Sequence, residues 1–253
     1  GGLMRINLGA RFPNQTLLSG PAAGVVSGVE LAKLAGHEHV VTFDMGGTST
    51  DISVVSGGHI DESIQGRIAG QDIGTPMLAV RTLGAGGGTV AYIAADGLMK
   101  VGPMSAGADP GPACYGNGGS DPTVTDANLL LGVLGEGNAL AAGFKLNRGA
   151  AETAIRTRIA EPLDLDIITA ASGIQRIVNT NMAGDLRLAF QTRGEDPRRF
   201  ALAAFGGAGP MHAAALAVDL EIPHVLVPPN PGLTSAMGLL QTKVRHVYLR
   251  SSV

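Results

Sequence analysis

The residues best suited to chemistry lie together in Asp44-Met45-Gly46-Gly47-Thr48-Ser49-Thr50-Asp51. Two carboxylates, two adjacent glycines and three hydroxyl side chains share this short stretch. Glycine takes positive φ readily, and without a Cβ it lets backbone N–H groups come close to an anion. Thr48, Ser49 and Thr50 add hydroxyl donors. Asp44, at the end of an apolar run, can hold a Mg²⁺ ion or orient a water. Gly-Gly turns and Ser/Thr/Asp clusters also serve only to cap local backbone. The full D-x-G-G-T-x-T-D spacing suits a polyphosphate better than a plain turn.

The elements that must position these groups follow from the flanking sequence. Val40-Val41-Thr42-Phe43 and Ile52-Ser53-Val54-Val55 are β-branched, apolar runs on either side of the turn, which predicts a β-hairpin. Residues 22–35 predict the helix before it, with Pro21 near the first turn and Gly36 after the last. The Ser19-Gly20-Pro21 entry is a candidate anion contact. His37-Glu38-His39 reads as a solvated loop rather than a metal site. Beyond the hairpin, a Gly57-Gly58 turn leads to His59-Ile60-Asp61-Glu62, expected as a third strand of the meander.

A second glycine cluster, Gly84-Ala85-Gly86-Gly87-Gly88, follows a β-like run, and Gly86 and Gly87 are candidates for nucleotide contact. No P-loop lysine follows, so a Walker site is excluded. Asp96-Gly97 signals a hairpin before residues 98–101. Residues 102–116 hold too much Gly and Pro for regular structure and predict a long ordered loop, functional or a structural lid. Cys114 within it has no histidine near it in sequence and reads as an inert thiol. Thr125 is a suitable N-cap for a short helix that follows.

Asn147 is placed to cap a helix running to Glu161, with Pro162 as its stop. Ile167, Ala171, Ile174, Val178, Met182, Leu186 and Ala189 recur at steps of three or four, one apolar stripe over 166–192. Asn179, Asn181, Asp185 and Arg187 lie beside it and read as a solvated face. Residues 199–205 read as a buried strand ending in Gly206-Gly207-Ala208-Gly209-Pro210, then a helix over 211–219. Strand, glycine turn and helix N-terminus make an anion or nucleotide geometry, without the G-x-G-x-x-G spacing of a dinucleotide fold. His212, in the first turn of that helix, reads as structural. A strand at 225–227, a helix through Leu240 and a strand at 244–249 complete the reading.

Composition narrows the class. Hydrophobic residues make up 45% and charged residues 15% of 253, enough for a sizeable core and too apolar for disorder. The 38 glycines fall in discrete clusters without a G-X-Y period, which points to tight turns rather than collagen or linker. A net charge of −3, no basic run, six Phe, three Tyr and no Trp argue against nucleic acid as the main partner. One cysteine excludes an internal disulfide and a multi-cysteine metal site, and fits a reducing compartment. No apolar run approaches membrane-spanning length. The first residues, Gly1-Gly2, and the strand-like end suggest a piece of a longer polypeptide.

The D-x-G-G-T-x-T-D hairpin resembles the phosphate loop of the actin, sugar-kinase and heat-shock ATPase superfamily. Seven motifs, in order, narrow this: Ser19-Gly20-Pro21-Ala22-Ala23-Gly24, Phe43 to Asp51, Gly84 to Gly88, Ser105 to Gly116, Thr123-x-Thr125-Asp126-Ala127-Asn128, Phe205 to Pro210, and Pro231-Gly232-x-x-Ser235-Ala236-x-Gly238. Together they resemble the hydantoinase A/oxoprolinase family over nearly the whole chain. The resemblance implies an α/β fold: one actin-like ATPase lobe spanning 1–253, a mixed sheet with flanking helices and an inserted Gly/Pro-rich subdomain at about 67–146. It implies ATP and Mg²⁺ as cofactors, and activation of a cyclic amide or carbonyl oxygen by phosphorylation. Carried over by motif, Asp44 (metal) and Thr48 take the catalytic roles. Gly46, Gly47, Ser49, Thr50 and Asp51 would complete the phosphate loop, with Gly206, Gly207 and Gly209 as the adenosine-side turn. The fold's first phosphate loop is not found in this sequence, so the chain is expected to be the C-terminal lobe, inactive alone. A B-type partner subunit, a homo-oligomer and a cytoplasmic location are further expectations. The competing readings are a non-catalytic scaffold lobe and a sugar- or acetate-type kinase.

Overall fold

The computed structural model describes residues 3–63, 66–68, 71–74, 77–135 and 145–243. The N-terminal helix α1 (Ile6–Arg11) buries no residue. Helix α2 (Ser19–Leu34) begins at Ser19, so the Ser19-Gly20-Pro21 entry is its first turn. The hairpin forms as the sequence predicts, with β1 (Val40–Met45) antiparallel to β2 (Thr50–Val55), Asp44 opposite Asp51 and Met45 opposite Thr50. Short ladders follow: β3 (Glu62–Ser63) with β6 (Met77–Leu78), and β4 (Gly66–Ile68) with β5 (Gln71–Ile73). The third meander strand is therefore not residues 59–62. It is β7 (Arg81–Leu83), which pairs antiparallel with β2, while 59–62 contributes only a Ser56–His59 bridge and the start of β3.

Strands β8 (Thr89–Ile93) and β9 (Met99–Ser105) form a separate hairpin around Asp96-Gly97. Helix α3 (Val124–Leu130) is buried at every position. Its N-cap is Thr123 rather than Thr125. The Thr123 side chain accepts from the Asp126 N–H and the Asp126 carboxylate takes the Thr123 N–H at 2.9 Å, a reciprocal capping box. Helix α4 (Arg148–Ile155), capped by Asn147, passes into a π-turn at Arg156–Ala160. Asp166 caps the long helix α5 (Ile167–Gln191) through the N–H groups of Ile168 and Thr169. Then come β10 (Ala201–Phe205), α6 (Gly209–Leu220), β11 (His224–Leu226) and α7 (Thr234–Gln241). The expected strand at 244–249 lies outside the described residues.

The main sheet has the order β11-β10-β1-β2-β7, in which only β2 runs against the other four strands. Strand alternation then sorts side chains to two faces. Val41, Phe43, Met45, Ile52 and Val54 join the larger core with α3, α5 and α6, where Ile174, Val178, Met182, Leu186 and Phe190 form the buried stripe of α5. Each such side chain contributes about 1.5–3 kcal/mol on burial. Val40, Val55, Ala203 and Phe205 face α2. Helix α2 lies close over that face: a Cβ on Gly28 would meet Thr42 Cγ2 at 2.6 Å. An antiparallel three-strand meander extended by two parallel strands, with helices on both faces, is the mixed α/β arrangement of an actin-like ATPase lobe.

Candidate phosphate and cation site

The turn between β1 and β2 is organised by where its carbonyls go. Gly46 N–H closes the turn on Ser49 O at 3.0 Å. Behind it stands the second glycine cluster: Gly87 N–H donates to Gly46 O at 3.0 Å and Gly88 N–H to Gly47 O at 2.6 Å. With those carbonyls held at the back, the N–H groups of Gly47, Thr48 and Ser49 and the hydroxyls of Thr48 and Ser49 have no partner among the described residues. Gly47 and Thr48 are exposed and Ser49 half-buried. Consecutive N–H groups without partners beside two free hydroxyls are the donor set that an anion-binding concavity uses.

Gly86 and Gly87 back the turn instead of sharing its open face. Both are buried, and Gly86 N–H is engaged by Thr89 Oγ1 at 2.7 Å. A Cβ on Gly86 would sit 2.7 Å from Gly47 O and from the Thr48 carbonyl carbon, so only glycine lets the two loops stack. Thr50 is likewise a fastener: fully buried, its hydroxyl donates to Ala85 O at 2.6 Å. Thr125 secures the far side through Gly87 O at 2.8 Å. Neither Gly86, Gly87 nor Thr50 turns a polar group to the open side.

Asp44 is half-buried on the α2 face, in a row across the sheet that runs Phe205, Asp44, Asp51, Thr82. The Asp51 carboxylate takes the Thr82 hydroxyl at 2.5 Å. The Asp44 carboxylate accepts Ser235 Oγ–H at 2.8 Å. Burial pushes the Asp44 carboxyl above its usual range and the neighbouring Asp51 charge adds to this, while the Ser235 hydrogen bond opposes both. A cation at Asp44 would relieve both strains.

The β10–α6 turn closes the far side. Gly206 has φ +82°, and a Cβ there would lie 2.4 Å from Met45 O and 2.5 Å from Asp44 Oδ1. Ala208 N–H donates to Met45 O at 2.9 Å and Gly206 N–H to Pro231 O at 2.9 Å. Gly209, the first residue of α6, is buried against Phe43 O, whereas Gly207 is exposed and a Cβ there would meet no described atom within 4 Å. The turn that sequence assigned to nucleotide thus wraps the end of β1 beside Asp44.

His212 is structural. It is 0% exposed, its Nδ1 lies 2.7 Å from Asn179 Oδ1 and its Nε2 3.1 Å from Asn128 Nδ2. Gln175 Nε2 donates to Asn128 Oδ1 at 2.9 Å, so the network joins α3, α5 and α6. Burial lowers its pKa to about 4, leaving a neutral ring with Nδ1–H donating. Asn179, read from sequence as part of a solvated face, is a member of this network. Cys114 is buried with its thiol pushed up by burial and by Asp126, consistent with an inert group. Asp126 itself takes four donors, from Ala113 N, Cys114 N, Thr123 N and Thr123 Oγ1, and so pins the 105–116 loop to α3. His39 packs on Phe200, and no group of three His, Cys, Asp or Glu suited to a metal occurs among the described residues.

The fold and the outward turn beside a half-buried aspartate define an actin-like ATPase lobe. Comparison with known proteins narrows this: the hydantoinase/oxoprolinase family model matches residues 1–248, and the chain belongs to that family. It is 46% identical to the caprolactamase subunit alpha of Pseudomonas jessenii over 90% of its length, and 38% identical to the acetophenone carboxylase gamma subunit of Aromatoleum aromaticum over 94%. It covers 33% and 32% of those proteins. The crystal structure of an ATP-dependent caprolactamase from Pseudomonas jessenii superposes with a TM-score of 0.82 at 45% identity, over 89% of this chain and 33% of that one. The chain therefore spans about a third of the length of these relatives.

Proposed function

We propose that this chain supplies the phosphate and cation contacts of an ATP-dependent enzyme that activates the carbonyl oxygen of a cyclic amide or related carbonyl compound. The observation that carries the reading is the turn Gly47-Thr48-Ser49, where the Gly46, Gly47 and Ser49 carbonyls are engaged while the N–H groups of 47–49 and the Thr48 and Ser49 hydroxyls have no partner among the described residues, beside Asp44. ATP supplies the phosphoryl group. The Gly47, Thr48 and Ser49 donors would bind its phosphate oxygens, and preorganised donors of this kind stabilise charge without reorganising. The donor set fits Mg²⁺ as well: one half-buried carboxylate without a protein cage is how Mg²⁺ is held when substrate phosphates supply other ligands. Mg²⁺ would neutralise phosphate charge during transfer. Asp44 would hold the ion or its water; Thr50 and Asp51 keep the turn and the carboxylate row in place.

The chemistry explains the need for ATP. Amide resonance leaves a lactam carbonyl poorly electrophilic. Moving the γ-phosphoryl of ATP to the carbonyl oxygen, with ADP departing, converts that oxygen into a leaving group, so attack by water or another nucleophile becomes accessible. The relatives support this range: one is a caprolactamase described as ATP-dependent, another a carboxylase of a ketone. Both relatives are named as subunits, which supports a partner subunit for the full-length protein here.

The test is Mg²⁺–ATP binding by calorimetry, on residues 1–253 and on the full-length protein, each with Asp44→Ala. Binding by the full-length protein that Asp44→Ala abolishes is the expected result. Full activity in the Asp44→Ala variant would remove Asp44 from the mechanism, and absence of binding in every form would favour a scaffold lobe.

A further inference from the structure

Ser235 lies 191 residues from Asp44 in sequence, yet its hydroxyl donates to Asp44 Oδ2 at 2.8 Å. Three constraints put it there. First, the lead-in to α7 is tied to the turn that wraps Asp44: Pro231 O accepts both Gly206 N–H, at 2.9 Å, and the Thr234 hydroxyl, at 3.0 Å. Second, Ser235 and Gly238 are three residues apart and share one face of α7. Gly238 lies so close to α2 that a Cβ would stand 1.8 Å from Ala23 O, which fixes the helix against sliding. Third, Gly24 of α2 closes over the pair, with its Cβ position 2.9 Å from Ser235 Oγ and 3.3 Å from Asp44 Oδ2. The other carboxylate oxygen, Oδ1, lies beside Gly206.

We propose that Ser235 is a positioning residue for Asp44, holding Oδ2 so that Oδ1 alone is presented to a divalent cation or its water. This rests on the cation role of Asp44 given above. A carboxylate free to rotate would offer either oxygen, or both. With Oδ2 held by a hydroxyl on a locked helix, one orientation is selected, and outer partners of this kind commonly change metal affinity 10–100-fold when removed. It also makes α7 part of the site, although its residues other than Ser235 stay outside it.

The test uses the full-length protein and measures affinity for Mn²⁺ with ADP by electron paramagnetic resonance, beside affinity for ADP alone in chelator. Ser235→Ala is expected to weaken Mn²⁺ binding roughly tenfold and to leave metal-free ADP affinity unchanged, with Ser235→Thr restoring most of the loss. Equal weakening with and without metal would show general damage and overturn the proposal. So would unchanged Mn²⁺ affinity in Ser235→Ala while Asp44→Asn loses it. Unchanged Mn²⁺ affinity in Asp44→Asn would instead refute the cation role of Asp44, and the proposal with it.

Discussion

Thr48 and Thr50 are two positions apart, but one is exposed without a partner among the described residues and the other is buried on Ala85 O. Their alanine variants should therefore separate function from stability. Thr48→Ala should leave thermal stability within about 0.5 kcal/mol and reduce nucleotide affinity. Thr50→Ala leaves Ala85 O without its donor and should cost about 1–3 kcal/mol, read as a lowered urea midpoint. Asp44 shows the reverse sign. Its folded pKa is raised, so its favourable contribution exists below the unfolded pKa and is lost as pH rises through the folded one. Near pH 7 the ionised carboxylate thus weakens the unliganded fold, and Asp44→Asn should raise the melting temperature at pH 7 while lowering activity. The proposed cation role would account for this strain, since stability is often lost where function needs it.

At the scale of elements, two helices carry testable consequences. The His212 network on α3, α5 and α6 keeps its imidazole neutral, with a folded pKa of about 4 against 6.5 unfolded. That contribution is complete above pH 6.5 and is lost as pH falls toward 4; the gap corresponds to about 3 kcal/mol. Urea midpoints measured from pH 7 down to 4 should fall more steeply for the native protein than for His212→Gln. Glycines on α7 and α5 offer the second contrast. Gly238→Ala drives a Cβ into Ala23 O and should destabilise at or beyond the upper end of about 1–3 kcal/mol. Gly184→Ala, exposed on α5 with nothing near it, should stabilise by about 0.5–1 kcal/mol.

These elements also mark how far the sequence is legible. The β1–β2 hairpin and α5 announce themselves because their signals are local: β-branched runs about a turn, and an apolar step of three or four. The meander's third strand escaped because Arg81-Thr82-Leu83 is short and has two exposed residues, while 59–62 carries a stronger turn-then-strand pattern. Thr123 is hard to read as the cap from sequence because its capping-box partner is Asp126, a weaker signal than Glu or Gln. Asp44, Gly47 and Thr48 were readable as a group because chemistry and spacing coincide there. Ser235, and the backing role of Gly86 and Gly87, arise only from packing between segments far apart in sequence. Ser235 had one signal, its place in a Pro-Gly-x-x-Ser motif, but nothing in that motif names Asp44.

For the whole molecule, the chain matches about a third of relatives that are themselves subunits. On the proposed reading, the turn at 47–49 on one lobe gives an anion contacts on one side only. Residues 1–253 should therefore bind Mg²⁺–ATP more weakly than the full-length protein, by at least tenfold in calorimetry. Equal affinity would mean that this lobe forms the nucleotide site unaided. Among the described residues no helix is long and apolar enough to cross a membrane.

The parallel pairing of β1 with β10, which sets Val40 against Ala201, has a consequence for how the protein is made. During synthesis the middle strand of the sheet is finished long before its neighbour exists. At about 5–20 residues per second, β1 waits on the order of 10–30 s with one edge unpaired. An open, apolar edge is a template for wrong pairing, and such non-local contacts also fold slowly. Nascent chains arrested before residue 201 should be cut readily by protease and held by chaperones. Chains released past β11 and α7 should become resistant in a single step, because only then can the strand order close.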